Sequence, residues 1–186
     1  MMQACRPVLW ALTLSGAVTS ATAATPWERW IARPTPAGAQ QVQRIEYSIP
    51  GGNADLGEET TRDLRTLAAR VGQGDPASLA IAVRLVHTTR PGADLEDLHA
   101  MLGRASGDHA RRFLAALRQE GGDLSCPGVE FMGEAFVDND AARVAERERR
   151  RRALMKVSST RLVPVRDRCL KVLQQAGGRV AHADRP

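Results

Sequence analysis

From about residue 58 onward, apolar residues recur with helical spacing, and glycine or proline interrupts the pattern at short intervals. In the first segment the positions i, i+3, i+4 and i+7 are occupied by Leu64, Leu67, Ala68 and Val71. This spacing places them on one face of an α-helix, with charged residues on the other. Because the interruptions are frequent, the helices are short and neighbouring helices run antiparallel. The pattern predicts an all-α fold of stacked antiparallel helical hairpins.

The interruptions also indicate where individual helices begin. Asp75-Pro76 is a clear start, because Asp is a favoured N-cap and Pro is tolerated at the first helical position. Asp94 is predicted to cap the next helix, and Gly103 and Gly107 to flank the break after it. About six helices are expected, in a small solenoid-like or irregular bundle, with starts near residues 58, 76, 94 and 108, after Asp138 or Asn139, and near Val163.

The N-terminus has the pattern of a secretory signal. Met1 to Arg6 carries one positive charge, residues 7–18 form a short apolar run, and Ala21-Thr22-Ala23 supplies the small residues that a signal peptidase requires. The alternative is an uncleaved N-terminal anchor. The run is short for a bilayer span, so we expect cleavage and export. The strong bias of the basic residues toward Arg is typical of a GC-rich coding sequence and favours a bacterial periplasm.

The remaining chain divides into three parts. Residues 24–55 read as an extended segment with at most one short strand, at Ile45 to Ile49. Residues 56–178 form the predicted helical domain, which Gly177-Gly178 is expected to close, and residues 179–186 a flexible tail. Trp27 and Trp30 in the extended segment either fill a groove of the fold or lie on a partner.

Loss of the leader would remove Cys5 and leave Cys126 and Cys169. In an exported protein two remaining cysteines favour a disulfide. On the loop-entropy model such a bond contributes about 4 kcal/mol. A catalytic thiol would require a base and an electropositive pocket, and the sequence shows neither beside Cys126.

Charge is distributed unevenly along the chain. The whole sequence has a net charge of +5, but residues 24–142 contain 12 Arg and 17 acids, whereas residues 143–171 contain 11 basic residues and three acids. An acidic body therefore carries a basic C-terminal third. An exported basic surface meets head-group or lipopolysaccharide phosphates, acidic proteins, or DNA. Alternatively, the basic part packs against the acidic part of the same molecule.

The segment from Arg143 to Arg152 concentrates this charge. On a helix, Arg143, Arg147, Arg150 and Arg151 would form one basic stripe. No apolar residue occurs from residue 146 to residue 152, so the stretch is expected to project into solvent or against an acidic surface. It is interpreted as an anion-binding or partner-binding face, or alternatively as a solvated helix with internal salt bridges.

Evidence for catalysis is sparse. Glu96-x-x-His99 is half of a di-iron motif, but the sequence has no second copy. Glu130 and Glu134 lie beside aromatic residues, which is an unusual context for acids in this sequence. One interpretation is an acid/base pair like that of a glycosidase. No nucleophile elbow, zinc-protease motif or phosphate-binding glycine loop occurs. We therefore assign no catalytic residue, no metal ligand and no cofactor.

Two segments carry a resemblance. The first runs from Gly74-Asp75-Pro76 through residues 93–98 to Phe113-Leu114, and the second is Arg166 to Leu170. Over about residues 74–175 the chain resembles uncharacterised exported α-helical proteins of proteobacteria. The resemblance implies an exported helical protein and brings no activity or functional residues.

Three functional hypotheses follow. The first is a non-enzymatic interaction protein that binds another macromolecule through a helical surface, an immunity or inhibitor protein being one form. Its partner would be another protein or an anionic envelope component, with nucleic acid disfavoured. The second is a small cell-envelope enzyme acting on peptidoglycan or its fragments. The third is a structural component of the envelope.

Overall fold

The computed structural model describes residues 29–30, 35, 37–38, 58–89, 91–120 and 126–183. Six α-helices lie between residues 58 and 183, with a short 3-10 helix at Glu134–Phe136, and the described ranges contain no strand. The predicted all-α fold is confirmed. The helices are α1 (Glu58–Gly72), α2 (Pro76–Thr88), α3 (Ala93–Asp108), α4 (Ala110–Glu120), α5 (Asp140–Met155) and α6 (Val163–Ala183).

The leader at residues 1–23 and the weak strand signal at residues 45–49 lie outside the described residues. Trp27 also lies outside the described residues. Trp30 is buried with the core, and its Nε1 donates to the carbonyl of Thr35 at 3.1 Å. Within the described ranges, no helix combines the length and hydropathy that a bilayer span requires.

Helices stack so that each packs against its neighbour and also against the helix after that. The main contacts join α2 with α4, α1 with α3, and α3 with α5, while α6 lies against α5 and α4. Helix α2 is deeply buried against α1, α3 and α4. Six of its apolar side chains are at most 2% exposed: Leu79, Ala80, Ile81, Ala82, Val83 and Leu85.

Local capping explains two of the helix starts. Asp75 has an extended backbone, and its carboxylate accepts from the backbone N–H of Ser78 at 2.8 Å. Asn139 caps α5, with its side-chain oxygen accepting from the N–H of Ala142 at 2.9 Å. Both side chains satisfy donors that a helix leaves unpaired at its first turn.

Three predicted helix boundaries are wrong, at Asp94, at Gly103 and at Gly177-Gly178. Gly92, and not Asp94, is the N-cap of α3. Asp94 lies buried in the first turn, where burial, and then the charge of Asp97, raise the pKa of its carboxyl. Gly177 and Gly178 do not end α6, which continues to Ala183. A glycine in a helix weakens it by only about 1 kcal/mol, which neighbouring helical residues can offset.

The predicted disulfide is confirmed. Cys126 and Cys169 are bonded, with their Cα atoms 5.3 Å apart, and both are buried. The bond joins α6 to the start of the segment that precedes α5. We call residues 126–133 the disulfide loop. This loop lies directly on α3. The contact is so close that a Cβ added at Gly128 would collide with the backbone carbonyl of His99.

Gly103 lies inside α3 and marks a close approach, not the predicted break. A Cβ at this position would lie 2.6 Å from the carbonyl oxygens of Gly128 and Phe131 and 2.5 Å from Nη1 of Arg150. Two of these three neighbours are backbone atoms that cannot turn aside. Glycine at residue 103 therefore allows the disulfide loop to contact α3.

We expect Gly103→Ala to lower the free energy of unfolding by about 1–3 kcal/mol, the usual cost of overpacking a tight contact. Gly72→Ala is the matched control, since Gly72 ends α1 and an added Cβ would meet no atom within 4 Å. Urea denaturation of both variants measures the difference. Equal stability of the two would contradict the proposed packing role of Gly103.

Candidate functional site

Arg150 is fully buried in the interior of the protein, although it belongs to the most polar stretch of the chain. The expectation that residues 146–152 project into solvent or against an acidic surface is therefore wrong for Arg150. This residue does not belong to an exposed basic stripe. Its Nε donates to Oε1 of Glu146 at 2.8 Å. Its Nη1 donates to carbonyl oxygens of the disulfide loop, those of Phe131 at 2.8 Å, Val129 at 3.0 Å and Gly128 at 3.5 Å.

These bonds explain why a guanidinium is present in the core. The carbonyl of Gly128 also accepts from the backbone N–H of Phe131 at 3.0 Å, whereas those of Val129 and Phe131 accept no backbone hydrogen bond within the described loop. Buried carbonyls require donors. A guanidinium supplies several donors from one rigid plane, so a single side chain serves the loop and Glu146 together. Burial lowers the pKa of Arg150, and the hydrogen bond and charge of Glu146 oppose this shift. Arg150 thus connects α5 to the disulfide loop.

Glu146 is the acidic counterpart of this connection, with its side chain 11% exposed. It accepts from Arg150 and also from Nε and Nη2 of Arg149, at 2.6 and 2.8 Å. Burial alone would raise the pKa of Glu146. The two arginines outweigh burial and hold the pKa below its ordinary value of 4.5. Arg149 also reaches Asp108 at the end of α3, at 2.5 Å.

Replacing Arg150 by Met tests this structural role. The variant keeps an unbranched side chain but leaves the loop carbonyls without a donor, so we expect a loss of about 3–5 kcal/mol in the free energy of unfolding. Arg151→Met is the matched control. Arg151 is 41% exposed and pairs with Glu148 within its own helix, so its replacement should cost about 0.5 kcal/mol or less. A tolerated Arg150→Met would refute the structural role.

Acid unfolding tests Glu146. A carboxyl with a depressed pKa contributes stability above its unfolded pKa, about 4.3, and this contribution is lost as pH falls through the folded value. We expect Glu146→Gln to be less stable than the native protein at pH 7 and to show a weaker loss of stability between pH 5 and pH 3. Glu134→Gln is the control, because Glu134 is exposed on the 3-10 helix. Urea midpoints across this pH range provide the measurement.

The other predicted stripe residues lie on one side of α5. Arg143 pairs with Asp140, and Arg151 is held by Glu148 at 2.7 Å. The Nε atom of Arg147 is buried and has no hydrogen-bond partner among the described residues. Much of the pairing along α5 is thus local to the helix itself, and the acidic body contributes Asp108 to it. The expectation of an anion-binding or partner-binding role for Arg143, Arg147 and Arg151 stays a prediction.

Arg143 and Arg147 line a groove between α5, the disulfide loop and α6. Its volume is about 350 Å³. We call it the loop groove, and its lining residues are Glu130, Phe131, Met132, Arg143, Arg147 and Ala176. Two guanidinium groups therefore lie beside an aromatic ring, a methionine and the carboxylate of Glu130, and Arg143 is also paired with Asp140. This combination can bind a carboxylate and an apolar group that lie next to each other.

The structure brings Glu130 near the Glu96-x-x-His99 pair, since the charges of both acids act on the imidazole of His99. His99 packs its ring at a tilt against Phe131, with centroids 5.9 Å apart. Burial lowers the pKa of His99, while the charges of Glu130 and Glu96 act in the opposite direction. Glu130 borders the loop groove, and Glu134 is exposed at the start of the 3-10 helix. Within the described part of the chain, no group of three or more His, Cys, Asp or Glu side chains is arranged to hold a metal ion.

A second groove, of about 800 Å³, lies on the opposite side of α5 and was not predicted. It collects side chains from the end of α3, the start of α4, the C-terminal half of α5 and the turn that follows. We call it the basic groove, lined by Gly107, Asp108, Ala110, Arg111, Arg149, Arg152, Ala153, Lys156, Val157, Ser158 and Ser159. The run of arginines in α5 is the one feature of the sequence that could have indicated this groove. That Arg111 of α4 lies in the same groove depends on the tertiary fold.

No protein-family model, curated protein or solved structure matches this chain. Assignment of a function therefore depends on the geometry and chemistry of its own residues.

Proposed function

We propose that this chain is an exported interaction protein that binds an acidic segment of another protein in the loop groove. The leader-like N-terminus supports export. The Cys126–Cys169 disulfide agrees with an oxidising compartment, where such bonds form and persist. An immunity or inhibitor protein is one form of this function, and a toxin encoded beside it would be the first partner to test.

The observation that carries the proposal is the convergence of Arg143 and Arg147 beside Phe131 and Met132. Arginine forks bind carboxylates in bidentate geometry, and the apolar pair offers contact to a neighbouring hydrophobic side chain. The buried Nε of Arg147 lacks a partner among the described residues, so no acid holds this guanidinium through that atom. Its volume of about 350 Å³ is near the lower end of the range of about 300–1,000 Å³ that ligand sites occupy, so it accepts a short peptide segment.

The same groove is preformed by the interactions of Arg150. Its hydrogen bonds hold the carbonyls of Val129 and Phe131 against α5, and the disulfide holds the start of the loop against α6. A binding site on rigid elements loses less conformational entropy when a partner binds. We therefore expect partner binding to depend on Arg150 indirectly, through the position of the loop.

Charge reversal in the loop groove tests the proposal. The protein is produced from its full-length gene, and the probe is a fluorescent peptide of alternating Glu and Leu residues. We expect Arg143→Glu with Arg147→Glu to weaken binding at least about tenfold, because hydrogen bonds to charged groups contribute about 1.5–3 kcal/mol each. Fluorescence anisotropy at several salt concentrations measures the affinity and its salt dependence.

The control for this experiment is Arg118→Glu with Lys171→Glu. It changes the net charge equally at exposed positions of α4 and α6 that do not line the loop groove. We expect binding by this control within about twofold of the native protein, because its contacts are intact and distant charges are screened. An equal loss in both variants would show attraction to overall charge and would refute the assignment of the groove.

A cross-linking experiment extends the test to the natural partner. A photoreactive amino acid at Met132 should capture one acidic protein in the producing cell, and the same group at Lys171 should not. The captured protein should disappear when Arg143 and Arg147 are both changed to Glu. Capture that is unaffected by this charge reversal would place the interaction elsewhere on the molecule.

A further inference from the structure

We infer that the basic groove is a second binding site, for the phosphoryl group of a phosphorylated small molecule or head group. It lies on the opposite side of α5 from the loop groove and is lined by different residues. The inference therefore goes beyond the proposed function and does not depend on it.

Charge is the first reason. Four cationic side chains line the groove against one acid, Asp108. Arg149 is engaged by both Glu146 and Asp108. By contrast, neither Arg111 nor Lys156 has an ion-pair partner among the described residues, and Arg152 is 65% exposed with Glu148 as far as 3.6 Å away. The groove thus holds three cations that its own acids leave largely uncompensated: Arg111, Arg152 and Lys156.

The kinds of donor present favour a phosphoryl group over a carboxylate. A carboxylate has one charge and two oxygens, whereas a phosphate monoester carries nearly two charges at pH 7 and three strong acceptor oxygens. Arg111 and Arg152 offer planar forks, Lys156 offers a point charge, and the hydroxyls of Ser158 and Ser159 add neutral donors. These donors come from two helices and a turn, so together they can approach a tetrahedral group from several directions.

The shape of the groove indicates a ligand larger than inorganic phosphate. Its volume of about 800 Å³ lies within the range of about 300–1,000 Å³ that small-molecule sites occupy. Small side chains, Ala110, Ala153 and Val157, supply its apolar surface and leave room for the body of a ligand. None of the described residues that line the groove is aromatic, so they offer no stacking surface of the kind that nucleotide bases commonly use.

Arg149 positions one wall of the groove. Its guanidinium lies over Gly107, where an added Cβ would come within 2.6 Å of Nη2. Glycine here lets Arg149 lie flat across the end of α3 and bridge to Asp108. We therefore assign ligand contact to Arg111, Arg152 and Lys156, and a positioning role to Arg149.

Calorimetric titration of the full-length gene product tests the site. The probes are glucose 6-phosphate for a free phosphorylated molecule, vesicles with phosphatidic acid for a lipid head group that is a phosphate monoester, and succinate as a dianion without phosphorus. We expect Arg111→Gln with Lys156→Gln to weaken binding of the phosphorylated probe at least about tenfold. Both residues are exposed, so their replacement should leave the thermal midpoint unchanged.

Two controls separate this site from the proposed one. Arg118→Gln with Lys171→Gln makes the same charge change away from both grooves and should bind as the native protein does. Arg143→Glu with Arg147→Glu should lose the acidic peptide but keep the phosphorylated probe. Failure of the loop groove and failure of the basic groove are then distinguishable.

Each outcome decides between the alternatives. Glucose 6-phosphate binding that requires Arg111 and Lys156 supports a free phosphorylated ligand, and vesicle binding alone with the same requirement supports a phosphorylated head group. Succinate binding as tight as that of the phosphorylated probe would overturn the assignment to phosphoryl groups. Absence of binding to both phosphorylated probes, or binding unaffected by the Arg111/Lys156 variant, would overturn the site itself.

Discussion

The buried guanidinium of Arg150 organises the C-terminal half of this protein. A charge in the core is unfavourable unless hydrogen bonds and an opposite charge compensate it. Here Glu146 does so at Nε and the loop carbonyls at Nη1, while Nη2 is buried without a partner among the described residues. The contact is possible because Gly103 leaves space on α3 for the loop and the guanidinium. The disulfide at Cys126 holds the beginning of the same loop. Helix α5, the disulfide loop and α3 therefore form one connected unit.

This arrangement divides a run of arginines into three environments on one helix. Arg150 faces the core, Arg143 and Arg147 face the loop groove, and Arg149 and Arg152 face the basic groove. The two grooves differ in chemistry, since one has aromatic and sulfur-containing neighbours and the other has small apolar side chains and hydroxyls. Similar charges can therefore serve two unlike ligands, an acidic peptide segment and a phosphoryl group, on opposite sides of α5.

Much of the fold could be predicted from the sequence, because the determining interactions are local. The apolar spacing of α1 and the cap at Asp75 involve residues within a few positions of each other, so periodicity and capping rules located them. The Cys126–Cys169 pair is predicted from the two cysteines that lie outside the leader-like N-terminus. The positions of glycine are a weaker guide to helix ends. The sequence pattern predicts breaks at Gly103 and Gly177, and both residues lie inside helices.

The sequence by itself determined the all-α class, most helix starts and the disulfide, since each depends on neighbouring residues or on composition. Only the tertiary structure decided which charges are buried and which are brought together. The sequence predicts Arg150 to be a surface residue, because several of its partners are backbone carbonyls about 20 positions earlier in the chain. Every residue has a backbone carbonyl, so the sequence does not indicate which ones an arginine will bind. Arg111 and Lys156 are far apart in the chain and meet only because α4 packs against α5. Long-range packing, unlike helical periodicity, has no local pattern from which to predict it.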